Sequence, residues 1–136
     1  MVSAESSMQD FRALLQGVNT KKEYKSRFMV KIGGHIRSIL ATQIVFLYAE
    51  GRNAYITTNE GHNLIIDYTL EELESLLNPQ KFFRVNRTYI VCIDSITEVL
   101  VYYNSRLKII TEITPEKEII VSREKVGTFK QWFGGE

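Results

Sequence analysis

Short runs of alternating apolar and polar residues, separated by turn-forming residues, recur along this chain and restrict it to a mainly β fold. Successive side chains of a strand point to opposite faces, so an apolar residue at every second position indicates a half-buried strand. This spacing predicts a strand over 28–32, and the turn residues that separate the other runs predict strands over 35–40, 45–50, 54–58, 62–67, 95–103, 106–111 and 119–121. Because short turns such as Gly33-Gly34 and Asn104-Ser105 join most of these runs, we expect antiparallel sheets.

Two predicted helices interrupt the strands. Thr69 is an N-cap with Glu72 three residues later, which is a capping box, and Asn78-Pro79 ends the helix that follows. Ser122 is the predicted N-cap of the last helix, which ends at Gly134-Gly135. Each helix has an apolar stripe that we expect to pack against a sheet. The stripes consist of Leu70, Leu73, Leu76 and Leu77 in one helix and of Val126, Phe129, Trp132 and Phe133 in the other.

Residues 1–27 are expected to form an N-terminal appendage, and residues 28–136 a single domain. Apolar residues at helical spacing predict a helix that Ser7 caps and Gly17 ends, followed by the polar and basic connector 19–27. Two interpretations remain open at this point. The helix packs on its own domain, or the segment is the remnant of a linker from an upstream domain.

Composition and charge exclude several classes of protein. Cys92 is the only cysteine, so an internal disulfide is impossible, and no apolar run approaches the roughly 20 residues that span a bilayer. The N-terminus does not resemble a signal peptide, and we expect a cytoplasmic protein without a membrane partner. Net charge is only +1, yet cations cluster in 21–37 and 81–92 while acids gather in 67–74. This segregation indicates a positive face for an anionic partner, unless it is an ordinary solvated surface.

Two cations occupy a place that local electrostatics disfavours. Arg123 and Lys125 follow the predicted N-cap Ser122, where the helix dipole carries a partial positive charge. One interpretation is that Glu124 compensates them and the side chains point to water. The other is that they join the free backbone N–H groups in binding an external anion such as phosphate. Arg123 would then be long enough to reach a base edge.

A second unusual segment is 82–91, in which polar residues stand inside an apolar and aromatic run. Arg84, Asn86, Arg87 and Thr88 are the polar residues, and the aromatic residues around them would hold these side chains in place. Arginine matches the acceptors of guanine and asparagine matches adenine, so such a pair suits base reading. The competing interpretation is a buried arginine paired with an acid from 71–74, which suits one of the two arginines better than both.

With these segments in place, the chain resembles the LytTR family, the DNA-binding output domain of many bacterial response regulators. The resemblance covers about 28–133 and depends on motifs in a fixed order. They are Phe28-Met29-Val30-Lys31, Ile44-Val45-Phe46-Leu47, Tyr55-Ile56-Thr57-Thr58, Tyr68-Thr69-Leu70-Glu71-Glu72-Leu73, Phe82-Phe83-Arg84-Val85-Asn86-Arg87-Thr88-Tyr89-Ile90-Val91 and Ile120-Val121-Ser122-Arg123. The sequence departs from the family at Cys92, where members usually carry asparagine, and it lacks the receiver domain that normally precedes the output domain.

The resemblance implies a fold and a set of contacts. It implies a mainly β (α+β) domain of elongated antiparallel sheets with short helices, which reads double-stranded DNA through loops. By motif, the base-reading residues would be Arg52 or Asn53 at a hairpin, with Ala54 as a competing position, then Arg87 and Arg123. Candidates for contact with the DNA backbone would be Asn86, Thr88, Ser122 and Lys125. Either the chain is an excised fragment that an upstream receiver domain precedes, which we favour, or it is a stand-alone regulator. The resemblance also implies dimerisation of the intact regulator on paired promoter repeats.

Other functions find less support in the sequence. His35 and His62 lack metal-ligand spacing, Cys92 lacks a basic partner within its motif, and no glycine pair fits a phosphate loop. We therefore expect no enzyme activity, no cofactor and no metal. The alternative function is a protein- or peptide-interaction module of a signalling protein, because small β domains bind peptides along sheet edges.

Overall fold

The computed structural model describes residues 23–135, and within this range the protein has ten strands and two α-helices. The strands are β1 (Arg27–Ile32), β2 (His35–Leu40), β3 (Ile44–Glu50), β4 (Asn53–Thr58), β5 (Asn63–Ile66), β6 (Phe82–Arg84), β7 (Tyr89–Cys92), β8 (Ile96–Val101), β9 (Leu107–Thr111) and β10 (Ile119–Ile120). The helices are α1 (Leu70–Leu76) and α2 (Val126–Gly134). The helix predicted between Ser7 and Gly17 lies outside the described residues.

The strands form three sheets in which every pairing is antiparallel. A central five-stranded sheet has the order β5-β4-β3-β7-β6, a two-stranded sheet consists of β1 and β2, and a three-stranded sheet has the order β10-β9-β8. The predicted mainly β class with antiparallel sheets and short helices is confirmed. All eight predicted strands are present, with ends that differ by at most two residues from the prediction.

The central sheet is buried on both of its faces. Phe28 and Ile39 of the two-stranded sheet and Leu73 of α1 belong to the core on one face. Ile109 of the three-stranded sheet and Phe129 of α2 belong to the core on the other face. The central sheet is therefore the middle layer of the domain.

Burial on both faces explains why the sequence analysis missed β6 and β7. Four consecutive residues of β7 are buried, with Ile90 and Cys92 on the α1 side and Tyr89 and Val91 on the opposite side. Such a strand shows no alternation between apolar and polar residues, and the rule used above does not detect it. The segment 82–91 is a hairpin in the structure, with its turn at 85–88.

Helix α1 begins with the predicted capping box. The Thr69 hydroxyl accepts from the backbone N–H of Glu72 at 3.1 Å, and the Glu72 carboxylate accepts from the backbone N–H of Thr69 at 2.8 Å. Leu70, Leu73 and Leu77 are buried in the core, whereas the predicted fourth stripe residue, Leu76, is only half-buried. These contacts fix α1 across one face of the central sheet.

Helix α2 starts later than the sequence predicts. Ser122 does not cap an α-helix: its side chain accepts no capping bond, and a 3-10 turn over Arg123–Lys125 separates it from Val126. The buried face of α2 contains Phe129, whereas Phe133 is 41% exposed. The helix ends at Gly134-Gly135 as predicted, and Gly135 adopts the left-handed conformation at φ 78°. No helix within residues 23–135 has the length and apolar character of a bilayer-spanning segment.

Candidate nucleic-acid interface

Three turns meet at one end of the central sheet. The β3–β4 turn continues from Glu50, and the N–H of the preceding residue, Ala49, donates to the carbonyl of Thr88 at 2.9 Å. The N–H of Ser122 donates to the carbonyl of Val85 at 2.9 Å, which ties the third turn to the second. We call this surface the loop end and define it as residues 51–53, 85–88 and 122–125. All eight predicted DNA-contacting residues belong to it.

Arg87 is the most fully presented of the predicted base-reading residues. Its side chain is exposed and forms no ion pair or hydrogen bond within the described range 23–135. Its backbone is held by a hydrogen bond, because Nη2 of Arg84 donates to the Arg87 carbonyl at 2.9 Å. The turn is therefore fixed while the guanidinium group at its tip is left to solvent.

Arg84 is the arginine that the acids of α1 bind. Only 13% of its side chain is exposed, and its Nη1 lies 3.1 Å from Oε2 of Glu71 and 3.3 Å from Oε1 of Glu74. Its Nε also donates to the carbonyl of Asn86 at 3.2 Å. The pKa of the Glu71 carboxyl lies below its usual value. The causes are a hydrogen bond from the backbone N–H of Glu71 and the neighbouring Arg84 guanidinium. The interpretation of a buried, paired arginine thus holds for Arg84 and not for Arg87.

The Asn86 side chain is engaged inside the protein. Its Oδ1 accepts from the backbone N–H groups of Thr88 at 2.7 Å and Tyr89 at 2.8 Å, and its Nδ2 donates to the carbonyl of Ile120 at 2.8 Å. One amide therefore closes the 85–88 turn and connects it to β10. Thr88, by contrast, is exposed, and its hydroxyl has no hydrogen-bond partner among residues 23–135.

The β3–β4 turn presents Arg52 and Asn53 beside Arg87. Gly51 occupies φ 63°, which favours glycine, and both residues that follow it are exposed. Within the described part of the chain the Arg52 guanidinium has no carboxylate partner. Ala54 is only 3% exposed and belongs to the core, so it is not available as a base-reading position.

The third turn places Arg123 outward and Lys125 partly inward. Arg123 is exposed, and no acid of residues 23–135 pairs with it. Lys125 is half-buried, and its ammonium donates to the carbonyl of Arg84 at 3.0 Å. The sequence analysis placed Arg123 in the first turn of the last helix, at the positive end of its dipole. This placement is wrong, because α2 starts at Val126. Two exposed acids lie close to the cations of the loop end in sequence: Glu124 lies between Arg123 and Lys125, and Glu50 lies two residues before Arg52. The loop end therefore carries charges of both signs.

Aromatic rings support the loop end from inside. Tyr89, at the start of β7, packs edge-on against Phe46 with 5.7 Å between ring centroids, and Tyr48 stacks on Tyr55 at 5.0 Å. The Tyr89 hydroxyl donates to the carbonyl of Lys117 at 3.4 Å. Burial raises the pKa of Tyr89, and burial together with the charge of Glu50 raises the pKa of Tyr48. These contacts hold together the strands from which the turns of the loop end extend.

The sequence analysis did not assign Arg84 a role at the site. The signal was present, since an arginine inside an apolar run requires internal partners. What was missing was the position of α1, because Glu71 and Glu74 lie 13 and 10 residues away along the chain. Across residues 23–135, no group of three or more histidine, cysteine, aspartate or glutamate side chains could hold a metal ion.

Comparisons of the sequence and of the fold with known proteins agree with one another. Residues 34–134 match the family model of the LytTr DNA-binding domain. The chain is 27% identical over 117 residues to the sensory transduction protein LytT of Oceanobacillus iheyensis, and this alignment covers 86% of the chain but 48% of LytT, about half its length. The fold is similar to the LytTr DNA-binding domain of a Bacillus cereus protein described as a methyl-accepting/DNA response regulator, with a TM-score of 0.72, 22% identity and coverage of 81% and 98% of the two chains.

Proposed function

Because the chain belongs to the LytTr DNA-binding domain family, we propose that it is a transcriptional regulator that recognises a specific sequence of double-stranded DNA through its loop end. In this proposal it is the output domain of a two-component response regulator. The family accounts for DNA binding as such. The specificity and the use of loops are inferences from the geometry of the site.

The observation that carries the proposal is the contrast between Arg84 and the other arginines of this region. Arg84 is neutralised internally, whereas Arg52, Arg87 and Arg123 are exposed and have no carboxylate partner within residues 23–135. Backbone hydrogen bonds join the three turns that carry these arginines. Three cations without internal carboxylate partners in the described residues suit an external polyanion.

We assign separate roles to the residues of the loop end. Arg87 and Arg123 would enter grooves and donate to base edges, since a bidentate arginine distinguishes guanine from other bases. Arg52 or Asn53 would make a third base contact from the β3–β4 turn. Contacts with phosphate carry no sequence information but set the position of the protein on the duplex. Thr88, Ser122 and Lys125 are the proposed phosphate-binding residues.

Asn86 has a different proposed role from the other residues of its turn. Its amide already forms three hydrogen bonds inside the protein. We therefore assign it the positioning of Thr88 and Arg87, with any direct phosphate contact limited to its remaining amide hydrogen.

The regulatory context rests on the relative that is longer than this chain. LytT of Oceanobacillus iheyensis is about twice the length of the matched segment and is named a sensory transduction protein. We propose that a receiver domain precedes this domain in the intact protein. Phosphorylation of that receiver would pair two copies on promoter repeats.

The test of the proposal is selection of bound sites from a pool of random duplexes, repeated at two salt concentrations. A DNA reader should enrich one motif, and its affinity should fall with salt by about 0.9 logarithmic units for each phosphate contacted, per tenfold rise in salt. Failure to bind any duplex at low salt would contradict the proposal. Binding without enrichment would remove the claim of specificity. A peptide-binding module would enrich nothing and respond weakly to salt.

A further inference from the structure

A second surface of exposed polar residues lies beside the loop end and has no role in the function proposed above. It is the hairpin turn between β8 and β9, residues 102–106, which we call the tyrosine turn. Tyr103 is 75% exposed, and Asn104, Ser105 and Arg106 are exposed as well. The side chains of Tyr103 and Arg106 have no hydrogen-bond or ion-pair partner within the described range.

The sheet register places this turn next to Arg123. Strand β10 runs alongside β9, with Ile120 opposite Lys108, and the N–H of Val121 donates to the carbonyl of Leu107 at 2.9 Å. Ser122 therefore follows at the level of Arg106, where neighbouring strands are about 4.8 Å apart. At about 3.3 Å per residue, the tip of the turn projects no more than about 10 Å beyond Leu107. A major groove about 12 Å wide spans a similar distance between its phosphate strands.

The chemistry of the turn fits phosphate. No acid occurs between Glu98 and Glu112, and the other cation of this stretch, Lys108, is already bonded to Glu118 at 2.7 Å. Arginine, tyrosine, asparagine and serine are among the residues that contact the DNA backbone most often. The stretch therefore offers one unneutralised guanidinium with neutral hydrogen-bond donors around it.

The turn also holds its shape at some conformational cost. Asn104 and Ser105 both adopt positive φ, at 62° and 60°, a conformation that asparagine adopts readily and serine does not. The rings of Tyr102 and Tyr103 stack at 5.1 Å, and the N–H of Tyr102 donates to the carbonyl of Arg106 at 2.7 Å. Side chains kept at positions that favour glycine are often functional.

We propose that the tyrosine turn is a fourth DNA-contacting element, in which Arg106, assisted by Tyr103 and Asn104, binds phosphates bordering the groove that Arg123 enters. This inference rests on the function proposed above and extends it. The contact adds affinity without sequence preference, because phosphates are the same at every base pair.

The experiment measures the affinity of the chain for its selected duplex and for an unrelated duplex over a range of salt. Arg106→Ala should weaken binding to both duplexes by a similar factor of several-fold. The slope of log affinity against log salt should be shallower by about 0.9 in this variant, because one phosphate contact is lost. A fourfold rise in salt should therefore weaken binding by the parent about 3.5-fold more than binding by the variant. Arg106→Lys, which retains the charge, should keep the parent slope.

Arg27→Ala is the matched control. Arg27 is also exposed and has no carboxylate partner among the described residues. It lies opposite Leu40 in the β1–β2 pairing, near the start of β3. This is the end of the central sheet away from the β3–β4 turn. The affinity of Arg27→Ala for both duplexes, and its salt slope, should equal those of the parent.

The inference and the proposed function fail in different ways. If the parent chain binds no duplex, the proposed function is wrong. If the parent binds but Arg106→Ala matches Arg27→Ala in both affinity and slope, only the role of the tyrosine turn is wrong. The main alternative role for the tyrosine turn is contact with a protein partner, because Val101 beside the turn is apolar and 84% exposed. Normal DNA binding by Arg106→Ala combined with lost transcriptional activation would assign the turn to such a partner and overturn the inference.

Discussion

Nη2 of Arg84 donates to the backbone carbonyl of Arg87 at 2.9 Å, so that one arginine, bound to acids of α1, holds the turn that presents the other to solvent. The two residues are three positions apart and have opposite surroundings. This hydrogen bond links the stability of the domain to the geometry of its proposed DNA-binding surface. A change in the inner arginine should therefore affect both properties.

Arg84→Ala should lower the free energy of unfolding by about 2 kcal/mol, because it removes hydrogen bonds from a charged donor to two backbone carbonyls. It should also weaken DNA binding, although Arg84 itself is not exposed to DNA. Urea denaturation and DNA titration measure the two effects. In the control Arg27→Ala, stability should change by no more than about 0.5 kcal/mol. A stable Arg84→Ala variant with the parent's DNA affinity would contradict the link.

Asn86→Ala should cost about 1–3 kcal/mol of unfolding free energy, since two backbone N–H groups and one carbonyl lose their partner. Asn86→Asp separates the two functions of the amide. It keeps the acceptor for Thr88 and Tyr89, but a carboxylate oxygen then faces the Ile120 carbonyl in place of the N–H donor, so most of the loss of stability should remain. Recovery of the parent's stability in Asn86→Asp would show that the bond to Ile120 contributes nothing.

The stability of the domain should fall in acid partly through Glu71. Its own backbone N–H and the Arg84 guanidinium lower the pKa of this carboxyl in the folded state. A group of this kind binds a proton more readily when the chain is unfolded. Its contribution is therefore present above the unfolded value, about 4.3, and is lost as the pH falls through the lower folded value.

Urea midpoints measured at neutral pH and in acid test this assignment. Glu71→Gln should show a smaller acid-induced fall than the parent. Glu112→Gln, a control at an exposed glutamate whose side chain has no partner within residues 23–135, should behave as the parent. An unchanged acid-induced fall in Glu71→Gln would show that this carboxyl does not contribute.

Local signals were sufficient to predict much of this fold. The capping box of Thr69 and Glu72 depends only on residues three apart, and it forms as predicted. Strand β1 was found from its alternation, and β3, which is buried on both faces, from the turn residues that follow it. Strands β6 and β7 were missed because burial on both sides of the central sheet removes the alternation, and because the turn between them, 85–88, contains no glycine or proline to mark it.

The candidate site was less predictable because its roles depend on tertiary contacts. The segment 82–91 contains two arginines, and local sequence does not tell which of them faces Glu71 and Glu74. The start of α2 was misplaced for the same reason. The N–H of Ser122 is used by the carbonyl of Val85, a residue far away in sequence, and the chain then makes a 3-10 turn before the helix.

Cys92 should react slowly with thiol reagents in the folded protein. It is 5% exposed, and burial raises the pKa of its thiol, so both access and the thiolate fraction are low. We expect alkylation by iodoacetamide at neutral pH to be at least about tenfold slower in buffer than in denaturing urea. Equal rates would show that the α1 side of the central sheet opens readily. Free cysteine added as a standard corrects for the effect of urea on the reagent.

The final prediction separates base reading from phosphate binding at the loop end. Arg87→Ala and Arg123→Ala should each cost about 1–3 kcal/mol on the selected duplex and relax base preference at one position. Both side chains are exposed and unpaired within residues 23–135, so the free energy of unfolding should change little. Lys125→Ala should instead weaken all duplexes by a similar factor, because a phosphate contact carries no sequence information.

Lys130→Ala is the matched control for Lys125→Ala, since Lys130 is an exposed lysine of α2 outside the loop end. Repeating the site selection with each variant gives the decisive comparison. Loss of preference at one base pair in Arg87→Ala, and at a different one in Arg123→Ala, would assign each residue to its own part of the site. If both variants select the parent motif at the parent's affinity, the guanidinium groups at the loop end do not read DNA, and another surface of the domain must.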